Sequence, residues 1–255
     1  AFWGCIIGGF VPVPVSTAPI YELDNSAVKK LRNAWQLLSP PLILTTKEIA
    51  TQLQSLSEKL KENLQIATID NLNAEPEELC YQAKSSDLAL LLLTSGSTGM
   101  PKGVSLSHSN LLGSVIGTSE AINLTEADIS LNWLPLDHPG PLIRCVIRST
   151  YLRVQQIHAP TALILANPLK WLDLIDKYRV TSAWAPNFAY ALLNERAAEL
   201  ERGDWDLSSV RSLLNTAEPI VTKTVRQCLH LLQSHGLNPT AMHSSWGMAE
   251  TASGV

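Results

Sequence analysis

At 255 residues with 45% hydrophobic content, the chain can bury a substantial core, and its strand and helix alternation suits one or two α/β units rather than a repeat array. A formal net charge of -4 offers no broad basic field, which disfavours nucleic acid and anionic membranes as partners and favours small molecules. The four cysteines, Cys5, Cys80, Cys145 and Cys228, are scattered without metal-ligand spacing or a disulfide framework and fit a reducing cytoplasm.

The apolar opening from Ala1 to Val15 is too short and too interrupted by proline to span a bilayer. Apolar residues recur at helical spacing from about Glu22 to Leu38 and from Thr46 to Asn63, with Ser39-Pro40-Pro41 as a breaker before Leu42-Ile43-Leu44, a βαβ progression. The polar, acidic segment Asp70 to Ser86 suits a solvent-facing connection. Leu88 to Leu93 predicts a strand buried on both faces, and the change to Ser, Thr and Gly after it marks a loop leaving the sheet. Gly103 to Ser107 predicts a short returning strand, followed by a helix starting within Ser107 to Asn110 and running to about Ile122. Strands are then predicted at Ile129 to Leu134, Val180 to Trp184, Val210 to Leu214 and Thr240 to Ser245. Helices are predicted at Pro168 to Tyr178, Asn187 to Leu200 and Thr222 to Gln233.

The loop after Leu93 has the chemistry of a phosphate cradle. Gly96, Gly99 and Gly103 permit backbone N–H groups to converge on one anion, and Ser95, Ser97 and Thr98 add hydroxyl donors to those near Thr94. Pro101 stiffens the turn, and Lys102 supplies a mobile ammonium. A Walker A loop is excluded by spacing, because Lys102 follows proline and precedes glycine instead of standing in Gly-Lys-Ser/Thr.

The run from Thr94 to Val104, closed by Ser107-His108, resembles the phosphate-loop signature of adenylate-forming enzymes. That superfamily comprises acyl-CoA synthetases, fatty acyl-AMP ligases, luciferases and the adenylation domains of nonribosomal peptide synthetases. The resemblance implies an α/β fold: residues 1–255 as the large N-terminal part of an adenylation domain, with flavodoxin-like βαβ layers and mostly parallel sheets. It is expected to be truncated at both ends, with the ribose-binding Asp, the hinge and the lysine-bearing C-terminal subdomain beyond Val255, and to be inactive alone. Trp3 to Gly9 resembles a family helix ending at Gly8-Gly9, and Phe10 to Val15 the strand after it, at an edge because of Pro12 and Pro14.

Further segments extend the resemblance. Asn215-Thr216-Ala217-Glu218-Pro219 is similar to the family's Asn-Gly-Ala-Glu-Pro, which places Thr216, Ala217 and Glu218 against the nucleotide, with threonine at the usual glycine. Trp246-Gly247-Met248-Ala249-Glu250 is similar to the aromatic-Gly-x-Thr/Ala-Glu motif. It implies nucleotide contacts from Trp246, Gly247 and Ala249, Mg²⁺ held by Glu250, and a Trp246 ring that stacks on adenine or closes the acyl pocket. Trp133 to Leu142 resembles Leu-Pro-Leu-x-His-x-x-Gly-Leu, with His138 at the aromatic-or-histidine position, where it would gate the acyl pocket or position the carboxylate. Trp184 to Tyr190 resembles the Pro-Asn-Phe-Ala-Tyr segment of fatty acyl-AMP ligases. It offers Trp184, Phe188 and Tyr190 as pocket aromatics, with a core role for the last two equally open, and Asn187 as a helix cap.

Amino-acid-activating members carry Asp at the position matched by His138, so the resemblance implies an acid without an α-amino group, of fatty, aryl or phenylpropanoid type. The implied reaction is ATP-dependent formation of an acyl-adenylate with release of pyrophosphate, then transfer to the phosphopantetheine of an acyl or peptidyl carrier protein, or to CoA, as in the loading modules of hybrid polyketide and nonribosomal peptide synthetases. Lys102, His138 and Glu250 are the expected catalytic residues. An amino-acid-activating domain, an acyl-CoA synthetase and a non-catalytic nucleotide-binding domain are the alternatives.

Overall fold

The computed structural model describes residues 1–18, 20–21, 26–39, 41–72, 80–95 and 101–254, and the chain divides into two compact units, Ala1–His108 and Ser109–Val255.

In the first unit, α1 (Phe2–Ile7) ends at Gly9, which has φ +76° and would place a Cβ 2.6 Å from the Tyr81 ring, so only glycine satisfies both the turn and the contact. The predicted βαβ progression is present: β1 (Ile43–Thr45), α3 (Lys47–Leu60) and β2 (Ile66–Thr68), the strands parallel with Ile43 opposite Ile66. Leu53 and Leu56 of α3 pack with Val28 of α2 (Ser26–Leu37) and with Tyr21 into a small core. β3 (Leu88–Ser95) pairs antiparallel with β4 (Pro101–Ser107), so the returning strand starts two residues earlier than predicted and takes in Pro101 and Lys102. Proline is tolerated there because a first strand residue need not donate to the ladder.

Two expectations are corrected here. β3 is not buried on both faces along its length: Leu90 and Leu92 are buried, but Leu88 is 41% exposed, and among the described residues its only strand partner is β4. Phe10 to Val15 forms no strand. It meets β3 through one bond, Leu91 N–H to the Pro12 carbonyl at 3.2 Å, because two prolines in six residues remove the donors a ladder needs.

The second unit is a parallel sheet of five strands in the order β6-β5-β7-β8-β9: β5 (Ile129–Asn132), β6 (Gln155–His158), β7 (Ser182–Ala185), β8 (Ser212–Asn215) and β9 (Met242–Ser244). This is the flavodoxin-like 2-1-3-4-5 order, whose direction reverses between β5 and β7, and ligands of such sheets bind beyond the carboxyl ends of the strands at that reversal. α4 (His108–Ala121), α7 (Thr161–Ala166), α8 (Leu169–Tyr178), α9 (Asn187–Asn194) and α11 (Thr222–Gln233) accompany it. The predicted helix from Asn187 to Leu200 breaks into α9 and α10 (Ala197–Leu200). Between β5 and β6 lies a helical stretch that the sequence pattern did not announce: α5 (Pro139–Pro141), a π-helical turn (Leu142–Ile147) and α6 (Arg148–Leu152). The core is led by Trp133, Trp171 and Tyr190, whose rings meet in sequence at 5.9 and 5.6 Å between centroids.

Below the sheet, Asp128 is 3% exposed and accepts from Thr125 N, Thr181 Oγ1 and, bidentately, Arg211. Burial alone would raise its carboxyl, but these donors bring it below the ordinary range. A lowered carboxyl contributes stability above its unfolded value near 3.9 and loses it as pH falls through the lower folded value. Asp128→Asn should therefore cost about 2 kcal/mol at neutral pH and flatten the acid limb of stability in denaturant titrations at stepped pH.

Candidate functional site

The carboxyl ends of β5, β7, β8 and β9 each open into one of the segments singled out in the sequence. After β5, the Asn132 side chain accepts from Leu134 N and donates to Leu134 O, closing the turn that leads to His138. His138 is half-buried and caps α5, its Nδ1 accepting from Gly140 N at 3.2 Å. That bond assigns the ring proton to Nε2, and burial pulls the imidazole below its usual range against the opposing pull of Asp137. His138 is thus neutral at physiological pH. The gap at Gly140 is filled by Trp184: a Cβ there would lie 2.7 Å from Trp184 Cη2.

Trp184 is 3% exposed and donates to Cys145 Sγ at 3.0 Å, within a cluster that includes Leu214. Its role is structural support beneath the strand ends. Tyr190 takes the core alternative: it is fully buried and its hydroxyl donates to the Leu214 carbonyl at 2.8 Å. Tyr190→Phe should lower stability by about 1 kcal/mol, read by thermal denaturation, with substrate preference unchanged. Phe188, two residues earlier on α9, is 40% exposed and packs edge-on against Trp133.

Asn187 is not the cap that the sequence suggested. Its side chain is buried, and its Oδ1 accepts from Asn215 Nδ2 at 3.3 Å and Val221 N at 3.1 Å, tying the start of α9 to the loop after β8. Glu218 adds a second tie, accepting from Phe188 N at 2.6 Å, where its charge also suits the helix N-terminus. Thr216 is buried and continues the ladder through Thr216 N to the Ala185 carbonyl, while Ala217 has φ +75°, a conformation disfavoured for alanine.

Beyond β9, Ser245 N donates to the Asn215 carbonyl, Trp246 is 60% exposed, and a 3-10 turn at Ala249–Thr251 carries the exposed Glu250. Ala249 is buried under that turn. The chain then doubles back through left-handed Ala252 and Ser253, and the Ser253 carbonyl accepts from Arg144 Nε at 2.8 Å. Gly247 stands where this return passes: a Cβ would lie 2.7 Å from both Ser253 C and Ser253 O.

Glu218, Trp246 and Glu250 line one cleft of about 1100 Å³, walled on the other side by α4 and floored in part by Arg144. His138, Trp184, Phe188, Tyr190, Thr216, Ala217, Gly247 and Ala249 do not line it; they shape or support the segments that do. Arg144, Ser114 and Thr118 are cleft residues the sequence reading missed, although an arginine inside the apolar run Leu142 to Ile147 was a visible signal. In the first unit, Thr94 lies opposite Lys102 across the hairpin and Ser95 opposite Pro101. Gly96, Ser97, Thr98 and Gly99 lie outside the described residues.

One exposed carboxylate beside a cleft fits Mg²⁺ shared with substrate phosphates, an ion that keeps several waters and needs only one or two protein oxygens. It does not fit a zinc-type cage, since among the described residues no three His, Cys, Asp or Glu side chains gather. Both buried thiols are held protonated by burial, Cys228 pushed up to about 12, so neither Cys145 nor Cys228 is a nucleophile. No helix among the described residues is long and apolar enough to cross a membrane.

Comparison with known proteins places this geometry. Aspulvinone E synthetase melA of Aspergillus terreus is 30% identical over 263 residues, covering all of this chain and 28% of its own length. Atromentin synthetase greA of Suillus grevillei is 30% identical over 272 residues, again covering the whole chain and 27% of its own length. The chain thus spans just over a quarter of these relatives. Among solved structures, McyG A-PCP complexed with phenylalanyl-adenylate superposes with TM-score 0.97 at 42% identity, over 100% of this chain and 40% of that one. The adenylation domain of a keto acid-selecting nonribosomal peptide synthetase module, bound to keto acyl adenylate, gives 0.94 at 42% identity, over 99% and 48%. With the model for AMP-binding enzymes matched across residues 1–255, the chain belongs to that adenylate-forming family, together with the adenylation domains of nonribosomal peptide synthetases.

Proposed function

We propose that the full-length protein activates a carboxylic acid lacking an α-ammonium group and passes the acyl group to the phosphopantetheine thiol of a carrier protein. The observation that carries the reading is His138, a half-buried imidazole fixed by Gly140 at the carboxyl end of β5 though outside the lining of the cleft; by the resemblance of Trp133 to Leu142 it stands where amino-acid-activating members carry an aspartate. A neutral ring offers no counter-charge to an ammonium. The relative bound to a keto acyl adenylate lends support, being similar along nearly the whole chain.

In the proposed chemistry an oxygen of the substrate carboxylate attacks the α-phosphorus of ATP. The bond to the bridging oxygen breaks and pyrophosphate leaves. The carrier thiol then attacks the acyl carbonyl as its thiolate, having lost its proton to solvent, and AMP departs. Neither step needs a protein nucleophile, so the protein's part is positioning and charge neutralisation. Backbone and hydroxyl donors of Thr94 to Thr98 and the Lys102 ammonium would hold phosphate oxygens. Glu250 would hold Mg²⁺, which when bound neutralises charge on the phosphates; Trp246 would flank adenine or the acyl group.

A second reading, activation of an amino acid, is favoured by the relative complexed with phenylalanyl-adenylate. One assay separates the two. Full-length protein is given ATP, labelled pyrophosphate and matched pairs such as phenylpropanoate and phenylalanine, and exchange driven by the deaminated acid is the expected result. Exchange driven by phenylalanine alone sinks the proposal. Loading of a phosphopantetheinylated carrier in preference to free CoA is the expected outcome of the transfer step.

A further inference from the structure

The α4 wall of the cleft includes two glycines among Asn110, Ser114, Thr118 and Ala121. Gly113 and Gly117, one turn apart on α4, open onto it, and a Cβ at either would meet nothing within 4 Å. That openness alone says only that the cleft is wide. The second observation is Arg144, which lines the same cleft yet is only 7% exposed.

Arg144 comes from the π-helical turn, and its Nε is committed to the Ser253 carbonyl. Among the described residues no carboxylate pairs with it; burial lowers its affinity for a proton, and the neighbouring Cys145 thiol, held protonated, offers no counter-charge. Arg148, one turn further on, is 3% exposed, with Nη1 lacking a partner. The acid that acts on Arg148, Asp128, is already bound bidentately by Arg211. Two guanidinium groups are therefore buried on one helical stretch without an anion of their own, an arrangement whose desolvation cost calls for a compensating acceptor. Glu218 is held by Phe188 N, and neither it nor Glu250 makes an ion pair with these arginines among the described contacts.

The surroundings of Arg144 limit what can reach it. A Cβ at Gly254 would lie 3.1 Å from Arg144 Nη2, 3.3 Å from Ser114 Oγ and 2.8 Å from Thr118 Cγ2. Gly254, Ser114 and Thr118 thus pack closely beside the guanidinium. Leu214, Ile220 and Ala121 add apolar lining that suits an alkyl or aryl body, alongside polar residues such as Asn110, His243 and Ser244.

We infer that Arg144 is a specificity-determining residue, its guanidinium taking an oxygen acceptor of the acyl substrate other than its reacting carboxylate. This rests on the reading of the cleft as the acid-activating site. The substrate class is then an acid with an apolar body and a further hydroxyl or carboxylate oxygen, for which the planar fork of arginine is suited.

The test is pyrophosphate exchange by the full-length protein with phenylpropanoate and its para-hydroxy and para-carboxy derivatives. The wild type should favour at least one substituted acid over the parent by roughly ten- to a hundredfold in kcat/KM, the range for hydrogen bonds to a charged group. Arg144→Met should erase that preference, read within the variant as the ratio of kcat/KM between the substituted and parent acids, and Arg144→Lys should keep part of it. A wild type with no preference among the three acids overturns the inference, and that comparison needs no variant. So does an Arg144→Met protein that loses all three acids equally while melting like the wild type, or one whose defect is a raised KM for ATP. Should none of the three acids drive exchange while phenylalanine does, the activation reading beneath the inference falls instead.

Discussion

Gly247→Ala is expected to lower adenylation by about a hundredfold and to destabilise the second unit by about 1–3 kcal/mol, although it adds one methyl group on an exposed turn. The reason is backbone, not ligand. The added Cβ would stand 2.7 Å from Ser253 C and O and 3.0 Å from Gly254 N, and main-chain atoms in a turn already held left-handed at Ala252 and Ser253 have little freedom to retreat. Gly247 itself is not one of the positive-φ glycines, so its value lies in close approach rather than in conformational freedom. Pushing Ser253 away loosens its carbonyl from Arg144 and the Ala252 carbonyl from Ser114 Oγ, the contacts that set one end of the cleft. Exchange assays and thermal denaturation should move together. A variant that melts like the wild type but has a raised KM for ATP would instead make Gly247 a nucleotide contact, as its motif first suggested.

That difference illustrates which parts of the molecule were legible in the sequence. The parallel sheet was visible because Ile129 to Leu134 alternates and Val180 to Trp184 and Val210 to Leu214 are strand-like segments between helical runs, and each motif follows a strand, which in an open α/β sheet places it at the carboxyl edge. β6, Gln155–His158, was invisible: an edge strand pairs on one side only, and its polar sequence has no alternation to betray it. The helical stretch Pro139–Leu152 hid for the opposite reason, since a π-helical turn shifts the register that a 3.6-residue pattern requires.

Within the site, side-chain type was a poorer guide than strand ends. Phe188 and Tyr190 are both aromatic and two positions apart on α9, about 200° around the helix, so one looks outward and the other is sealed in the core. Asn187 precedes a helical run, as a cap would, yet spends its side chain on Asn215 and Val221, partners 28 and 34 residues away that no local rule could anticipate. Arg144 was passed over as one charge in an apolar run. Its importance depends on burial without a carboxylate, which only the packing displays.

Glu250→Gln carries the largest expected loss of activity with the smallest expected loss of stability. Glu250 is exposed on the 3-10 turn, and the turn is held by backbone bonds and by Thr251 Oγ1 with Met248, not by the Glu250 carboxylate. The variant should therefore melt like the wild type. Removing the carboxylate charge while keeping the side-chain shape takes away the hard anionic oxygen proposed to hold Mg²⁺ against the phosphates, so exchange by the full-length protein should fall by about a hundredfold or more. Part of that loss should return at raised Mg²⁺ concentration, because the amide oxygen remains a weak ligand and the ion's other ligands come from water and nucleotide. Glu218→Gln is the internal control: it lines the same cleft, but its described partner is Phe188 N, which an amide oxygen also accepts from, so its loss should be small and insensitive to Mg²⁺. Equal losses in the two variants would assign the effect to cleft charge in general, and an unchanged rate in Glu250→Gln would remove Glu250 from the chemistry altogether.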